Sequence, residues 1–147
     1  MNTYMREAID EAKNGIHNGE GGPFGCIIVK NNKIVGRGHN TVLKNQDPTC
    51  HGEVNAIKDA CKKLGTYDLS GCELYTTAQP CPMCKGAILW SNIRTVYYGC
   101  NIKDTDSIGF RDEIFFNDDS EFQKELDRDS CLELFQEYSN LENKTIY

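Results

Sequence analysis

The sequence predicts an α/β fold, a three-layer α/β/α sandwich built on a mixed sheet, and three observations carry that prediction. Apolar residues recur at helical spacing in several stretches, and short β-rich runs lie between them. The last two β-rich runs are joined through a helix, a connection that favours a parallel pair with a right-handed crossover. At 147 residues the chain can bury a core without disulfide help, so 1–147 reads as a single domain.

Met5, Ala8, Ile9, Ala12 and Ile16 fall three and four apart, the stripe of a first helix packed by one face, with Asn14-Gly15 and Asn18-Gly19 as stop signals. After a loop at 19–22, the run 24–29, the Asn31-Asn32 turn and the run 33–38 read as a β-hairpin. Pro48-Thr49 precedes a second helix in which Val54, Ile57, Cys61 and Leu64 share a face and Gly65 suits the C-terminal cap. His51 and Glu53 therefore fall in its first turn. Residues 73–77 make a short strand, 80–92 a third helix that tolerates Pro82 at its start, and 95–99 another strand. Beyond Gly99 the chain reads as irregular and acidic through 101–129, with a short helix near 111–116. Ser130 is placed to cap a last helix carrying Leu132, Leu134, Phe135 and Tyr138.

A net charge of −6 and a pI near 5.0 argue against a surface made to neutralise phosphates. No basic cluster exceeds Lys62-Lys63, so no nucleic-acid partner is expected. Neither a leader-like apolar stretch at the N-terminus nor a long uncharged run is present, and the expectation is a cytoplasmic protein with no membrane partner. In that setting eight cysteines read as metal ligands plus thiols rather than disulfides. Cys26, Cys50, Cys61, Cys72, Cys100 and Cys131 are expected to be small buried hydrophobes, and His17 and His39 surface or loop residues.

Two short blocks carry chemistry. His51-Gly52-Glu53 followed by Pro80-Cys81-Pro82-Met83-Cys84 is the H-x-E…P-C-x-x-C pattern of zinc deaminases. One imidazole and two thiolates leave a tetrahedral Zn²⁺ an open position, which marks a catalytic site; a closed structural site needs four protein ligands. Both ligand segments start helices, whose exposed N–H groups stabilise thiolates. Zinc lowers the pKa of bound water to about 7, giving hydroxide at neutral pH. Glu53 is then free to act as proton shuttle: it accepts the water proton, delivers it to a ring nitrogen and protonates departing ammonia. A lone Cys-x-x-Cys would suit a redox pair or half a structural site, but a non-catalytic zinc-binding module has no use for Glu53.

The resemblance runs well past these blocks. Gly21-Gly22-Pro23-Phe24-Gly25, Asn40, Asp47-Pro48-Thr49, the block 74–90 and Gly109-Phe110-Arg111-Asp112 resemble the cytidine-deaminase-like superfamily, and within it the bacterial guanine deaminases. That likeness implies a mostly five-stranded mixed sheet and hydrolytic deamination of guanine to xanthine and ammonia, with attack at the C2 amidine carbon. Asn40 would hydrogen-bond the base, Phe24 would stack on it, and Asp112 would accept its N–H groups, a task suited to an acceptor-only carboxylate. Gly52, Gln79 and Trp90 would also line the substrate site. In that family the C-terminal segment, here 117–147, closes the pocket and is often exchanged between the subunits of a homodimer, which would bring Tyr147 near the ligand. The partners implied are a small nucleobase and a second copy of the chain.

Departures from the pattern define the alternative. Gly52 stands where guanine deaminases usually carry Ala, and Ala78-Gln79 replaces their usual Cys-Glu. There, and at Gly36-Arg37-Gly38-His39-Asn40, the chain resembles fungal-type cytosine deaminases, so conversion of cytosine to uracil is the second reading. tRNA adenosine deaminases share the zinc blocks, but must hold a phosphate-rich partner that the acidic balance disfavours.

Overall fold

A 3.6-residue apolar period dictates the first helix, α1 (Thr3–His17), which Asn2 starts by accepting the Tyr4 and Met5 N–H groups on its side chain. The computed structural model describes residues 1–117 and 123–147, and the part of the acidic stretch at 118–122 lies outside the described residues. The elements that follow are β1 (Gly25–Lys30), β2 (Lys33–His39), a short α2 (Val42–Asn45), α3 (Gly52–Leu64), β3 (Glu73–Ala78), α4 (Pro82–Trp90), β4 (Thr95–Cys100), α5 (Ile102–Ser107), a 3₁₀ turn (Asp112–Phe115) and α6 (Arg128–Ser139). Two compact units result, Met1–Asn117 and Asp118–Tyr147. Within the second, the Tyr138 hydroxyl donates to the Thr145 carbonyl at 2.8 Å and Asp127 stands at the N-cap, one turn ahead of the expected Ser130.

The sheet of the first unit has the order β2-β1-β3-β4. β1 pairs antiparallel with both β2 and β3, and β3 pairs parallel with β4 through the α4 crossover. Because successive side chains of β1 face opposite ways, it builds two cores. Ile27 and Val29 pack with Ala8 of α1 and Tyr75, while Cys26 and Ile28 pack with Leu74, with Ala56 and Ala60 of α3 and with Ile88 of α4. Full burial of Ile27 and Ile28 contributes roughly 1.5–3 kcal/mol each. Gly38 lets α3 approach β2 at backbone distance, since a Cβ there would lie 2.4 Å from the Ala56 nitrogen. This close seat fixes the start of α3, and with it His51, against the sheet.

Among the described residues four strands form where mostly five were expected. The chain cannot extend past β4 as strand because Asn101 caps α5 at once, its side chain accepting the Lys103 and Asp104 N–H groups while the Asp104 carboxylate accepts the Asn101 N–H. Gly15 does not stop α1: it is buried inside the helix, where a Cβ would meet the His39 ring at 2.6 Å. Cys26, Cys50 and Cys72 are buried as expected, but Cys61 is half-buried and Cys100 and Cys131 are exposed, Cys100 because it ends the outermost strand β4.

His39 departs furthest from its expected place. Its ring closes on Gly15 between two carboxylates, Glu11 of α1 at 3.0 Å from Nδ1 and Glu20 at 2.7 Å from Nε2. Arg37 lies 2.7 Å from Glu7 and 3.9 Å from Glu11, and Lys44 3.6 Å from Glu20. Burial alone would lower the His39 pKa, but the two carboxylates outweigh it and hold the imidazolium above the ordinary 6.5. Glu20 is held below its ordinary 4.5, chiefly by its hydrogen bond to His39. A raised histidine stabilises the fold fully below its unfolded pKa and ceases to do so as pH rises through the folded value. The Tm advantage of the native protein over His39→Gln is therefore expected to be a few degrees, about 3 °C, near pH 5.5 and to shrink above neutrality. Thermal melts of both proteins across pH check this; an advantage that grows with pH contradicts it.

Candidate active site

Two helix starts converge on one point. His51 is the N-cap of α3 and Cys81 the N-cap of α4, both in extended backbone conformation, and neither spends its side chain on capping. Pro82 at the first position of α4 costs nothing, because that N–H has no helical partner. Cys84 follows one turn on and is fully buried. His51 Nδ1 lies 3.6 Å from Cys81 Sγ and 3.4 Å from Cys84 Sγ, and all three donor atoms fall within 4.8 Å of one another.

That spacing tests the metal. With Zn–S near 2.3 Å and Zn–N near 2.05 Å, the N···S edge of a tetrahedron is about 3.5 Å. Both observed edges match it. Cys81 is pulled down to about 4 by a hydrogen bond from the Cys84 thiol, against burial and with His51 assisting, so it is a thiolate at neutral pH. Cys84 is pushed up by that same bond and by burial, so the pair carries one negative charge before any cation enters. Soft thiolates with an imidazole form a donor set that suits Zn²⁺.

Glu53, in the first turn of α3, is buried and accepts the Thr76 hydroxyl of β3 at 2.9 Å. Burial raises its pKa, with the Thr76 bond opposing. A carboxylate whose pKa is raised by burial holds a proton more readily than a free one, which suits it to general acid–base work.

A cavity of about 720 Å³ opens onto this cluster. Phe24, Asn40, His51, Glu53, Gln79, Cys81 and Asp112 all line it, together with Phe110, Arg111 and Phe115. Phe24 meets Phe110 edge-to-face, ring centroids 4.9 Å apart, so one aromatic wall joins the start of β1 to the loop after α5. The Asn40 amide oxygen accepts the Val42 N–H at 3.0 Å, which leaves its NH₂ as the group able to donate to a ligand. Asp112 is half-buried, its pKa raised first by that burial and then by the Cys81 charge, with His51 opposing. Gln79 lines the cavity while its Oε1 accepts the Ile102 N–H at 3.1 Å, tying the end of β3 to the start of α5.

Two residues expected at the substrate, Gly52 and Trp90, are not part of the cavity lining. Gly52 is buried beneath the Phe24 carbonyl, which a Cβ would meet at 3.0 Å. Trp90 ends α4 and is 68% exposed, outside the cavity lining. Tyr147 belongs to the Asp118–Tyr147 unit.

Similarity to known proteins bears on this geometry. Residues 1–100 match the family model described as the cytidine and deoxycytidylate deaminase zinc-binding region. The chain belongs to that zinc deaminase family. Over 126 residues it is 44% identical to a guanine deaminase of Bacillus subtilis, a match spanning 86% of this chain and 76% of that one. The crystal structure of a Bacillus subtilis guanine deaminase superposes with a TM-score of 0.91 at 40% identity, covering 100% of this chain and 99% of that chain. A tRNA-specific adenosine deaminase of Aquifex aeolicus is 45% identical over 95 residues, but this reaches only 65% of this chain and 62% of that relative. As a zinc-dependent hydrolytic deaminase the chain needs its proton-carrying group held still, and here Thr76 holds it. Thr76 was not among the expected site residues, although a hydroxyl in the apolar run Leu74, Tyr75, Ala78 of the largely buried β3 was a signal for it.

Proposed function

We propose that this deaminase converts guanine and water to xanthine and ammonia. The observation that carries the reading is the position of Asp112: the carboxylate suited to accept purine N–H groups lines the same cavity as Glu53 and the His51, Cys81, Cys84 cluster. A guanine deaminase structure also superposes over the whole chain, including the Asp112 loop, at 40% identity, whereas the tRNA-specific adenosine deaminase of Buchnera aphidicola, which matches 92% of this chain, is 34% identical.

His51, Cys81 and Cys84 would hold the zinc, which when bound would supply Lewis-acid activation of water at neutral pH. Phe24 stacks on the base, the Asn40 NH₂ donates to it, and Asp112 accepts its ring and amine N–H groups. Held so, the C2 carbon faces the cluster and attacking water. Glu53 takes the first proton of that water as its oxygen bonds to C2, places it on the adjacent ring nitrogen, and then carries the second, from the newly added hydroxyl, to the amine as the C2–N bond breaks. The carbonyl at C2 replaces the amine, and the amine leaves as ammonia. Burial raises the Glu53 pKa while the Thr76 hydroxyl holds the carboxylate in place, the arrangement a proton-carrying group needs.

Ammonia release from guanine, guanosine, cytosine, cytidine and adenine tests the substrate. Guanine should be turned over and cytosine not; cytosine turnover without guanine turnover would replace the reading with its alternative. Asp112→Asn exchanges an acceptor for a donor and should lower guanine kcat/KM by about 10²-fold, since buried partners left mismatched cost about 1–3 kcal/mol, with zinc content unchanged. Equal activity in that variant would return Asp112 to an ordinary loop residue. The same reading makes the protein a cytoplasmic homodimer of nucleobase salvage, with 117–147 exchanged between subunits. Light scattering of the full chain and of one ending at Ser139 tests the assembly.

A further inference from the structure

Asn55 lies outside the cavity lining, one turn along α3 from His51, whose carbonyl accepts its backbone N–H at 3.0 Å. Its side-chain NH₂ reaches the other way. It donates to the His39 carbonyl at 2.8 Å and to the Thr41 hydroxyl at 2.9 Å, with the Cys50 carbonyl at 3.5 Å on the edge of range. Those acceptors bracket Asn40 on both sides. Thr41 is further tied by its own N–H to the Cys50 carbonyl at 2.9 Å, and Asn40 by its N–H to the Phe24 carbonyl at 2.9 Å. Asn55 is therefore where the helix carrying His51 and Glu53 grips the segment carrying Asn40.

We infer that Asn55 is a positioning residue that sets the Asn40 amide at a fixed distance from the metal ligands and Glu53. The inference rests on the reading that Asn40 contacts the base. Chemistry makes the grip specific. An amide NH₂ has two hydrogens, and here two acceptors from residues two apart in one segment, the His39 carbonyl and the Thr41 hydroxyl, take them. No hydrophobic side chain can replace it without leaving the His39 carbonyl unpaired in a part-buried place. The Thr41 hydroxyl also accepts from Asn45 Nδ2 at 2.9 Å, so the same segment is held from its other end by α2. Loss of Asn55 thus loosens the Asn40 segment relative to α3 but leaves His51, Cys81 and Cys84 in contact.

The test is a double-mutant cycle on the zinc-loaded full chain, using Asn55→Ala, Asn40→Ala and the pair, with Thr41→Val as a milder variant that removes one acceptor. Guanine kinetics, zinc content and amide hydrogen exchange are read for each. Asn55→Ala should raise KM about tenfold with less than a threefold change in kcat and unchanged zinc, and Thr41→Val should move KM the same way by less. In the Asn40→Ala background Asn55→Ala should cost less than twofold more, because its effect runs through Asn40. Exchange at the Thr41 amide should speed at least tenfold in Asn55→Ala. Additive losses, a fall in kcat alone, or unchanged Thr41 exchange would overturn the inference. The exchange arm needs no substrate, so native protein inactive on guanine would sink the substrate reading and leave the positioning test standing.

Discussion

Glu53→Gln should lower kcat by about 10²–10⁴-fold, the range removed when a general acid–base group is lost, while retaining about one zinc per chain. The substitution isolates proton transfer because Gln has the same shape and its amide oxygen can still accept the Thr76 hydroxyl, now at 2.9 Å from Oε1. Glu53 is also not among the three grouped donors, so the metal has no reason to leave. Steady-state turnover with metal analysis on the same preparation checks both halves. KM should change little, since the lost interaction belongs to the transition state rather than to substrate binding. A variant that keeps zinc and turns over within threefold of native would remove Glu53 from the mechanism.

The metal cluster was legible in the sequence because its geometry is local. Cys81 and Cys84 sit one helical turn apart by covalent spacing alone, and His51 and Glu53 share the start of α3. Only the meeting of the two helix starts is tertiary, and the parallel β3–β4 crossover that brings it about was itself readable from strand, helix and strand in succession. The substrate side was less legible because it depends on contacts between distant segments. Gln79 lines the cavity, but that its oxygen accepts the Ile102 N–H, 23 residues away, so that only its NH₂ is left to face a ligand, is nowhere written in its neighbours. Trp90 was expected at the substrate through family likeness alone; it ends α4 and is not among the residues lining the cavity. His39 and Asn55 gave no signal at all: a carboxylate on each side of one ring and two acceptors around one amide exist only once α1, β2 and α3 have packed. The fifth strand was expected from family likeness; the residue pattern itself showed four β-rich runs, and the described residues form four strands.

Removing the metal should be as damaging as removing Glu53. Lewis-acid activation is worth several kcal/mol, and about 1.4 kcal/mol corresponds to a factor of ten, so chelator-stripped protein should lose about 10³-fold or more in turnover. Added Zn²⁺ should restore it with a break at about one equivalent, as a single site requires. The apoprotein should stay folded, since the two cores around Ile27 and Ile28 lie on sheet faces built without the ligands. Its Tm should nonetheless fall, because a ligand that binds only the native state stabilises it by mass action. His51→Ala separates the two contributions. It leaves the two cysteines that already share one negative charge, so metal can still be attracted, but it removes the nitrogen that spans both sulfurs at 3.4 and 3.6 Å. Weakened zinc binding with proportionate loss of activity, recovered in part at high Zn²⁺, is the expected pattern. Stripped protein that retains native turnover would show that the convergence of α3 and α4 serves some purpose other than catalysis.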